Sequence, residues 1–157
     1  MELNNSVNGA NIELILDDEE VFKIKTLNAL NKNDELKNFM MIKSQNKYCS
    51  VDFTIINTYN LLSVYVEHKK KKITASKYNT FFIGFQKLIM IEAYYGTQKL
   101  FLVFDCDDDL YFCEYDDKFL KRDKKIVCGS KVIEIDKSEC GMGFDNFNKK
   151  LIETLTL

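Results

Sequence analysis

Histidine and arginine are nearly missing from this chain of 157 residues, which contains one of each, His68 and Arg122. Its five cysteines include no CxxC pair, so with a single histidine a structural zinc site is not expected. A single arginine also argues against extensive bidentate reading of nucleic-acid bases. The sequence therefore argues against a zinc-stabilised domain and against a protein that recognises nucleic-acid bases through many arginines.

Long apolar stretches are missing as well. No run approaches the roughly 18 apolar residues of a membrane-spanning helix, so no membrane partner is expected. The N-terminus has neither a basic start nor a long apolar segment, and it predicts no secretory signal. The odd number of cysteines favours free thiols in a reducing intracellular compartment, either cytoplasm or nucleus.

What the chain does have is enough apolar material for one sizeable core. Apolar residues make up 46% and aromatic residues 13%, which indicates a globular protein of one domain rather than a disordered one. We expect residues 1–11 to be loosely ordered, residues 12–136 to form the core, and residues 137–157 to be a tail or a helix. The net charge of −2 neither favours nor opposes nucleic acid, which only the local distribution of charge can indicate.

The periodicity of apolar residues predicts an α/β (α+β) domain with a mixed central β-sheet flanked by helices. Four acidic residues at 17–20 favour a helix that starts there, because negative charge is stabilised at a helix N-terminus. Helices are predicted at 17–30, 80–96 and 144–155, and strands at 39–44, 48–56, 61–72, 99–106, 110–116 and 131–136. The helix at 80–96 is predicted from Phe82, Phe85, Ile89 and Ala93 at helical spacing, although residues 81–83 could also be extended.

Three charged residues fall together when the strands at 48–56 and 61–72 form a hairpin. Glu67 and Lys69 are two residues apart on one strand and project to the same side. Counting outward from the turn at 57–60 brings Asp52 opposite Glu67 within about a residue, as expected for antiparallel pairing. Two carboxylates at a strand edge suit Mg²⁺ or Mn²⁺, and a neighbouring lysine can stabilise charge on a phosphate. The pattern predicts a metal-assisted phosphodiester site.

The segments VDF (51–53) and VEHK (66–69) resemble the active-site signature of the PD-(D/E)XK nuclease superfamily, which has the restriction-endonuclease-like fold. The order of helix, strands, acidic strand, helix and buried strand agrees over roughly residues 12–136. Val51 departs from the family pattern, which often has proline there. The segments 65–88 and 100–116 are also similar to small nuclease-like proteins of large DNA viruses.

The resemblance implies that Asp52 and Glu67 bind Mg²⁺ or Mn²⁺, that Lys69 is the catalytic lysine, and that DNA is hydrolysed by metal-activated water. Small nucleases of this fold often form homodimers, and a viral source would add the viral factory or virion as locations. Family members often add an acidic residue from the first helix and a polar residue from the second, and a lysine run suggests contacts with DNA phosphates. The candidates for these roles are Glu19, Glu20, Gln86, Lys87, Lys70, Lys71, Lys72 and Lys77.

Two other classes of function stay open from the residues alone. The same fold could carry a catalytically inactive protein that binds nucleic acid or acts in assembly. The acidic segments at 17–20, 105–109 and 114–117 could instead dock on a basic protein, as in an inhibitor or immunity factor. The lysines after Glu67 also have an ordinary explanation, a solvated strand end that discourages edge pairing.

Overall fold

A computed structural model of the chain describes residues 2–4, 11–13, 17–32, 38–45, 51–72, 74–96 and 98–157. The strands are β1 (Glu2–Asn4), β2 (Asn11–Glu13), β3 (Phe39–Lys43), β4 (Phe53–Asn57), β5 (Ser63–Lys71), β6 (Thr80–Gly84), β7 (Leu100–Cys106), β8 (Leu110–Glu114), β9 (Lys124–Val127), β10 (Ser130–Asp136) and β11 (Gly141–Met142). The helices are α1 (Asp18–Asn31), α2 (Phe85–Tyr95) and α3 (Phe144–Thr154), and short 3₁₀ turns lie at Ala75–Lys77, Asp117–Lys121 and Lys137–Glu139. No helix among these residues is long and apolar enough to cross a membrane.

Six strands form the main sheet in the order β11–β8–β7–β5–β4–β3. β5 and β7 are parallel and the other neighbours are antiparallel, so the predicted mixed α/β sheet is confirmed. The parallel pair requires a crossover, and α2 lies in that connection. A smaller sheet, β6–β10–β9, and the separate pair β1–β2 complete the strand arrangement.

The main sheet is covered on both faces by apolar side chains. On one face, Phe22 of α1 and Phe147 of α3 pack with Phe53 and Val66. The opposite face packs against α2 and the three-stranded sheet through residues such as Leu88. Side chains alternate along a strand, so neighbouring residues of β5 belong to different faces.

The first and last helices begin close to the predicted positions. α1 starts at Asp18 because the Asp17 side chain accepts a hydrogen bond from the Glu20 backbone at 2.8 Å. α3 buries Phe147 and Leu151 completely, so the core extends beyond the predicted limit of residue 136. Within the segment 1–11, which we expected to be loosely ordered, the described residues form β1 and the first residue of β2.

The predicted helix at 80–96 is wrong in its first turn and in its buried face. Residues 80–84 form β6, in which Phe81 and Ile83 are buried and pair with β10. The helix begins only at Phe85, and the residues that it buries are Leu88 and Ile91. The reason is that buried and exposed side chains alternate along β6, as in a strand. Pairing with β10, some fifty residues later in the chain, favours this strand over a continuous helix.

Two predicted strands also differ in detail. β4 begins at Phe53, and residues 48–50 of the predicted strand 48–56 lie outside the described part of the chain. The strand predicted at 110–116 is β8, which ends at Glu114, pairs antiparallel with β7 and has four of its five residues buried. The reason is its position inside the sheet, between β7 and β11.

Candidate active site

Asp52 and Glu67 lie at neighbouring positions of the β4–β5 hairpin. The last paired residues of that hairpin are Phe53 and Val66, and continuing the register by one position places Asp52 opposite Glu67. The backbone of His68 donates a hydrogen bond to Asp52 Oδ2 at 2.7 Å. The hairpin therefore holds the Asp52 carboxylate next to the segment that carries Glu67.

Glu67 is a buried carboxyl group with two lysines beside it. Its Oε2 atom lies 3.7 Å from Lys69 Nζ and 3.2 Å from Lys87 Nζ, while its side chain is only 3% exposed. Within the described part of the chain, its Oε1 atom has no hydrogen-bond partner. Burying a carboxylate with an unsatisfied oxygen is costly, so this atom requires a physical explanation.

The environment strongly alters the acidity of Glu67. Its pKa is raised to about 7, chiefly by burial and next by the negative charge of Asp52. The positive charges of Lys87 and Lys69 lower the pKa and so oppose these two effects. A carboxyl group with such a pKa, next to a second carboxyl group, is typical of a functional site.

Lys87 reaches the acidic pair from a different element than Lys69 does. Lys69 comes from β5 itself, two residues after Glu67, whereas Lys87 comes from the first turn of α2. The neighbouring candidate Gln86 is exposed on α2. The structure thus brings one of the two candidates from this helix to Glu67.

The acidic candidates of α1 have a different partner. Glu19 and Glu20 lie 3.1 Å and 3.6 Å from Lys43 Nζ, and Asp17 lies 3.5 Å from the same atom. Lys43 continues the alternation of Phe39 and Met41, whose side chains face α1. Glu67 instead contacts α2 on the opposite face, so the structure does not bring Glu19 or Glu20 into this arrangement.

The lysine run is divided between two faces by the alternation of β5. Lys71 shares a face with Lys69, and burial followed by the Lys69 charge lowers its pKa. Lys70 is directed the other way and lies 3.9 Å from Asp105. Lys72 and Lys77 are exposed after the strand. Only part of the run therefore adds positive charge next to Glu67.

His68 anchors the strand from the face opposite to Glu67. Its ring stacks on Phe22 with centroids 4.3 Å apart, and its Nε2 atom lies 2.9 Å from Asp105 Oδ2. The side chain is therefore packed, and it faces away from Glu67 as the next residue of a strand should. These contacts fix β5 at the position where the His68 backbone N–H binds Asp52.

The acidic pair can hold a divalent ion only with help from other ligands. In the described ranges, no group of three or more His, Cys, Asp or Glu side chains is placed to hold a metal ion. Mg²⁺ commonly takes one or two carboxylates and completes its shell with water and phosphate oxygens. The oxygen donors of Asp52 and the unpaired Oε1 of Glu67 fit that requirement.

The mixed sheet, the crossover through α2 and the flanking helices define a restriction-endonuclease-like fold. The chain is similar in structure to a Holliday junction resolvase from the archaeal hyperthermophile Archaeoglobus fulgidus, with a TM-score of 0.50 and 11% sequence identity. The similarity covers 84% of this chain and 96% of the resolvase chain. At this identity the likeness establishes the fold. No protein-family model and no curated protein matches the sequence.

Replacing Asp52 tests whether the two carboxyl groups interact. Asp52→Asn is expected to lower the pKa of Glu67 from about 7, because the Asp52 charge that raises it is removed. The asparagine oxygen can still accept the hydrogen bond from His68. A ¹³C NMR titration of the glutamate carboxyl carbons measures the change. Lys87→Met should shift the same pKa upward, and an unchanged value in Asp52→Asn would contradict the arrangement.

Proposed function

We propose that the protein is a Mg²⁺- or Mn²⁺-dependent nuclease that hydrolyses DNA phosphodiester bonds. The observation that carries this proposal is the buried Glu67 carboxyl group, which has a raised pKa, Asp52 beside it and an oxygen left unpaired by the described residues. The fold supports it, because the chain shares that fold with a Holliday junction resolvase. A branched DNA is accordingly the first substrate to examine.

Asp52 and Glu67 would hold the divalent ion through their carboxylate oxygens. When bound, such an ion supplies a water of lowered pKa and neutralises charge on the phosphate. The ion also explains why a carboxyl group is buried with one oxygen unpaired, because a cation offsets both the desolvation and the repulsion from Asp52.

The two lysines next to Glu67 have separable roles in this proposal. Both favour the ionised form of Glu67, which is the form that binds a cation. Lys69 has a third of its side chain exposed, so it can also approach a phosphate and stabilise the charge that develops there. Lys87 is less exposed than Lys69 and lies closer to Glu67, so we assign it the role of positioning the Glu67 carboxylate.

DNA would approach from the α2 side of the sheet, where Lys69 and Lys71 project. The exposed Lys72 and Lys77 follow the same strand and are available for phosphate contacts. Lys70 contributes less because Asp105 compensates its charge on the other face. The predicted homodimer and the predicted similarity to viral nuclease-like proteins belong to the same proposal.

A cleavage assay with two DNA substrates tests the function. A labelled four-way junction and a linear duplex of the same sequence are incubated with Mg²⁺, with Mn²⁺ or with EDTA. We expect metal-dependent cleavage by the wild-type protein, and a loss of at least about 100-fold in Glu67→Gln, because a ligand carboxylate is replaced by an amide. Equal cleavage by both proteins would refute the assignment, and cleavage of the duplex alone would refute the branched substrate.

The second candidate function is DNA binding without cleavage. It is favoured by the 3.2 Å contact between Lys87 and Glu67, because an internal cation already compensates part of the carboxylate charge. Salt-dependent binding of the junction, without metal binding in a calorimetric titration, would support it. Docking of the acidic segments onto a basic protein receives less support, since Asp17, Glu19 and Glu20 converge on Lys43.

A further inference from the structure

Two cysteines are brought together at the edge of the main sheet, away from the proposed catalytic pair. β11 and β8 are antiparallel, with Gly141 opposite Phe112. Continuing this register by one position places Cys140 opposite Cys113. The strands are tightly packed here, because a Cβ atom on Gly141 would lie 2.8 Å from two carbon atoms of the Phe112 ring.

The hydrogen bonds between β11 and β8 show whether Cys113 and Cys140 form a hydrogen-bonded or a non-hydrogen-bonded pair. The Gly143 backbone N–H donates to the oxygen of Leu110, the residue opposite it, at 2.7 Å. Hydrogen-bonded and non-hydrogen-bonded pairs alternate along an antiparallel ladder, so Cys140, three residues earlier, forms a non-hydrogen-bonded pair with Cys113. In agreement, the Cys140 N–H donates to Lys137 O.

Non-hydrogen-bonded pairs are the closer of the two kinds. Their Cα atoms are about 4.5 Å apart, which is within the range of roughly 4.4–6.8 Å that a disulfide bridges. A bond between Cys113 and Cys140 therefore requires little movement of the backbone.

The side chains meet in the same apolar cluster but differ in access to solvent. Cys113 is buried, Cys140 is partly exposed, and both are free thiols. The neighbouring Cys113 thiol lowers the pKa of the Cys140 thiol, whose Sγ–H donates a hydrogen bond to Asp136 O at 3.8 Å. The Cys140 thiol and burial together raise the pKa of Cys113. Cys140 is thus the more nucleophilic and more accessible sulfur, and Cys113 is the neighbour that can complete a bond.

We propose that Cys113 and Cys140 form a redox-modification site that hydrogen peroxide converts into an intramolecular disulfide. The Cys140 thiolate attacks one peroxide oxygen, the O–O bond breaks, and hydroxide leaves and is protonated to water. The sulfenic acid formed on Cys140 is then attacked by the Cys113 sulfur. The S–S bond forms, the S–O bond breaks, and the leaving hydroxide takes the Cys113 proton as a second water. Both sulfurs are oxidised by one electron and the peroxide is reduced by two.

The disulfide would fasten β11 to β8 and so tie the segment that precedes α3 to the main sheet. The site is independent of the proposed nuclease activity, because Asp52, Glu67 and Lys69 take no part in it. It also assigns a role to two of the five cysteines.

Thiol counting and peptide mapping of the full chain test the proposal. The reduced protein is treated with hydrogen peroxide, unfolded, and its free thiols are titrated with a maleimide. The count is expected to fall from five to three, because one bond consumes two thiols. Mass spectrometry without reduction should find a peptide linking Cys113 to Cys140, and dithiothreitol should restore all thiols.

Single-serine variants provide the controls. Cys128→Ser removes an exposed thiol outside the pair and should still lose two thiols on oxidation. Cys140→Ser, at a partly exposed position, should form no bond at Cys113, and circular dichroism should show a retained fold. A bond to any other cysteine, or oxidation of Cys140 to sulfinic acid with Cys113 still free, would overturn the proposal.

Discussion

Glu67→Gln is expected to increase the free energy of unfolding at pH 8 by about 3 kcal/mol, even as it removes the proposed metal ligand. The pKa of Glu67 rises from 4.5 to about 7 on folding, chiefly because of burial. Each pKa unit corresponds to about 1.4 kcal/mol of difference between the two protonation states. The side chain is 3% exposed, so solvent does little to screen this cost.

The direction of the effect follows from proton binding. The folded protein holds the Glu67 proton more tightly than the unfolded chain does, so stability from this group is fully present below pH 4.5. It is lost as the pH rises through about 7, where the folded protein must carry a buried charge. Glutamine stays neutral at every pH, so its advantage should be large at pH 8 and nearly absent at pH 4.

Urea denaturation at both pH values measures the prediction, with Glu114→Gln as the control. Glu114 is also a strand glutamate paired with a lysine, Lys99, but its side chain is 37% exposed. An exposed pair of this kind contributes at most about 1 kcal/mol, so its replacement should change little. A Glu67→Gln protein that is less stable than wild type at pH 8 would show that Glu67 serves as a structural partner of the lysines. Added Mg²⁺ should stabilise the wild-type protein and not the variant.

The hairpin that carries the acidic pair could be predicted from sequence because local rules determine it. Alternating apolar residues on both strands and the turn at 57–60 fix which residues face each other. Phe53 opposite Val66 follows from that pattern, and so does the position of Asp52 next to Glu67. The separation of His68 from Glu67 is equally local, since neighbours on a strand face opposite ways.

The contacts that depend on elements distant in the chain could not be predicted from the sequence in this way. The segment 80–91 is mostly apolar, so helix and strand both fit it until β10 supplies a partner for β6. The contact of Lys87 with Glu67 depends on the path of α2 across the sheet. The choice of Lys43 as partner for Glu19 and Glu20 depends on the face that α1 covers. Each of these is set by packing between elements, for which a single sequence has no local signal.

Lys69→Met is expected to slow DNA cleavage by about 100- to 1000-fold, the usual loss when a group that stabilises transition-state charge is removed. Methionine keeps the apolar stem of the lysine and removes the charge 3.7 Å from Glu67. Because that charge also lowers the Glu67 pKa, rates should be compared near pH 9, where Glu67 is ionised in both proteins. Single-turnover cleavage of a labelled junction at saturating protein measures the chemical step.

Lys70→Met is the matched control, because the next residue of the same strand faces the other way and lies near Asp105. It removes one positive charge from the same lysine run without removing one next to Glu67, so it controls for the change in net charge. We expect its cleavage rate at saturation to stay within about threefold of wild type, since a surface charge mainly changes affinity. Equal losses in the two variants would mean that the run acts only as a binding surface. A loss confined to Lys69→Met would support chemistry on the face of β5 that Glu67 shares, because Lys69 lies beside Glu67 and Lys70 lies beside Asp105 on the other face.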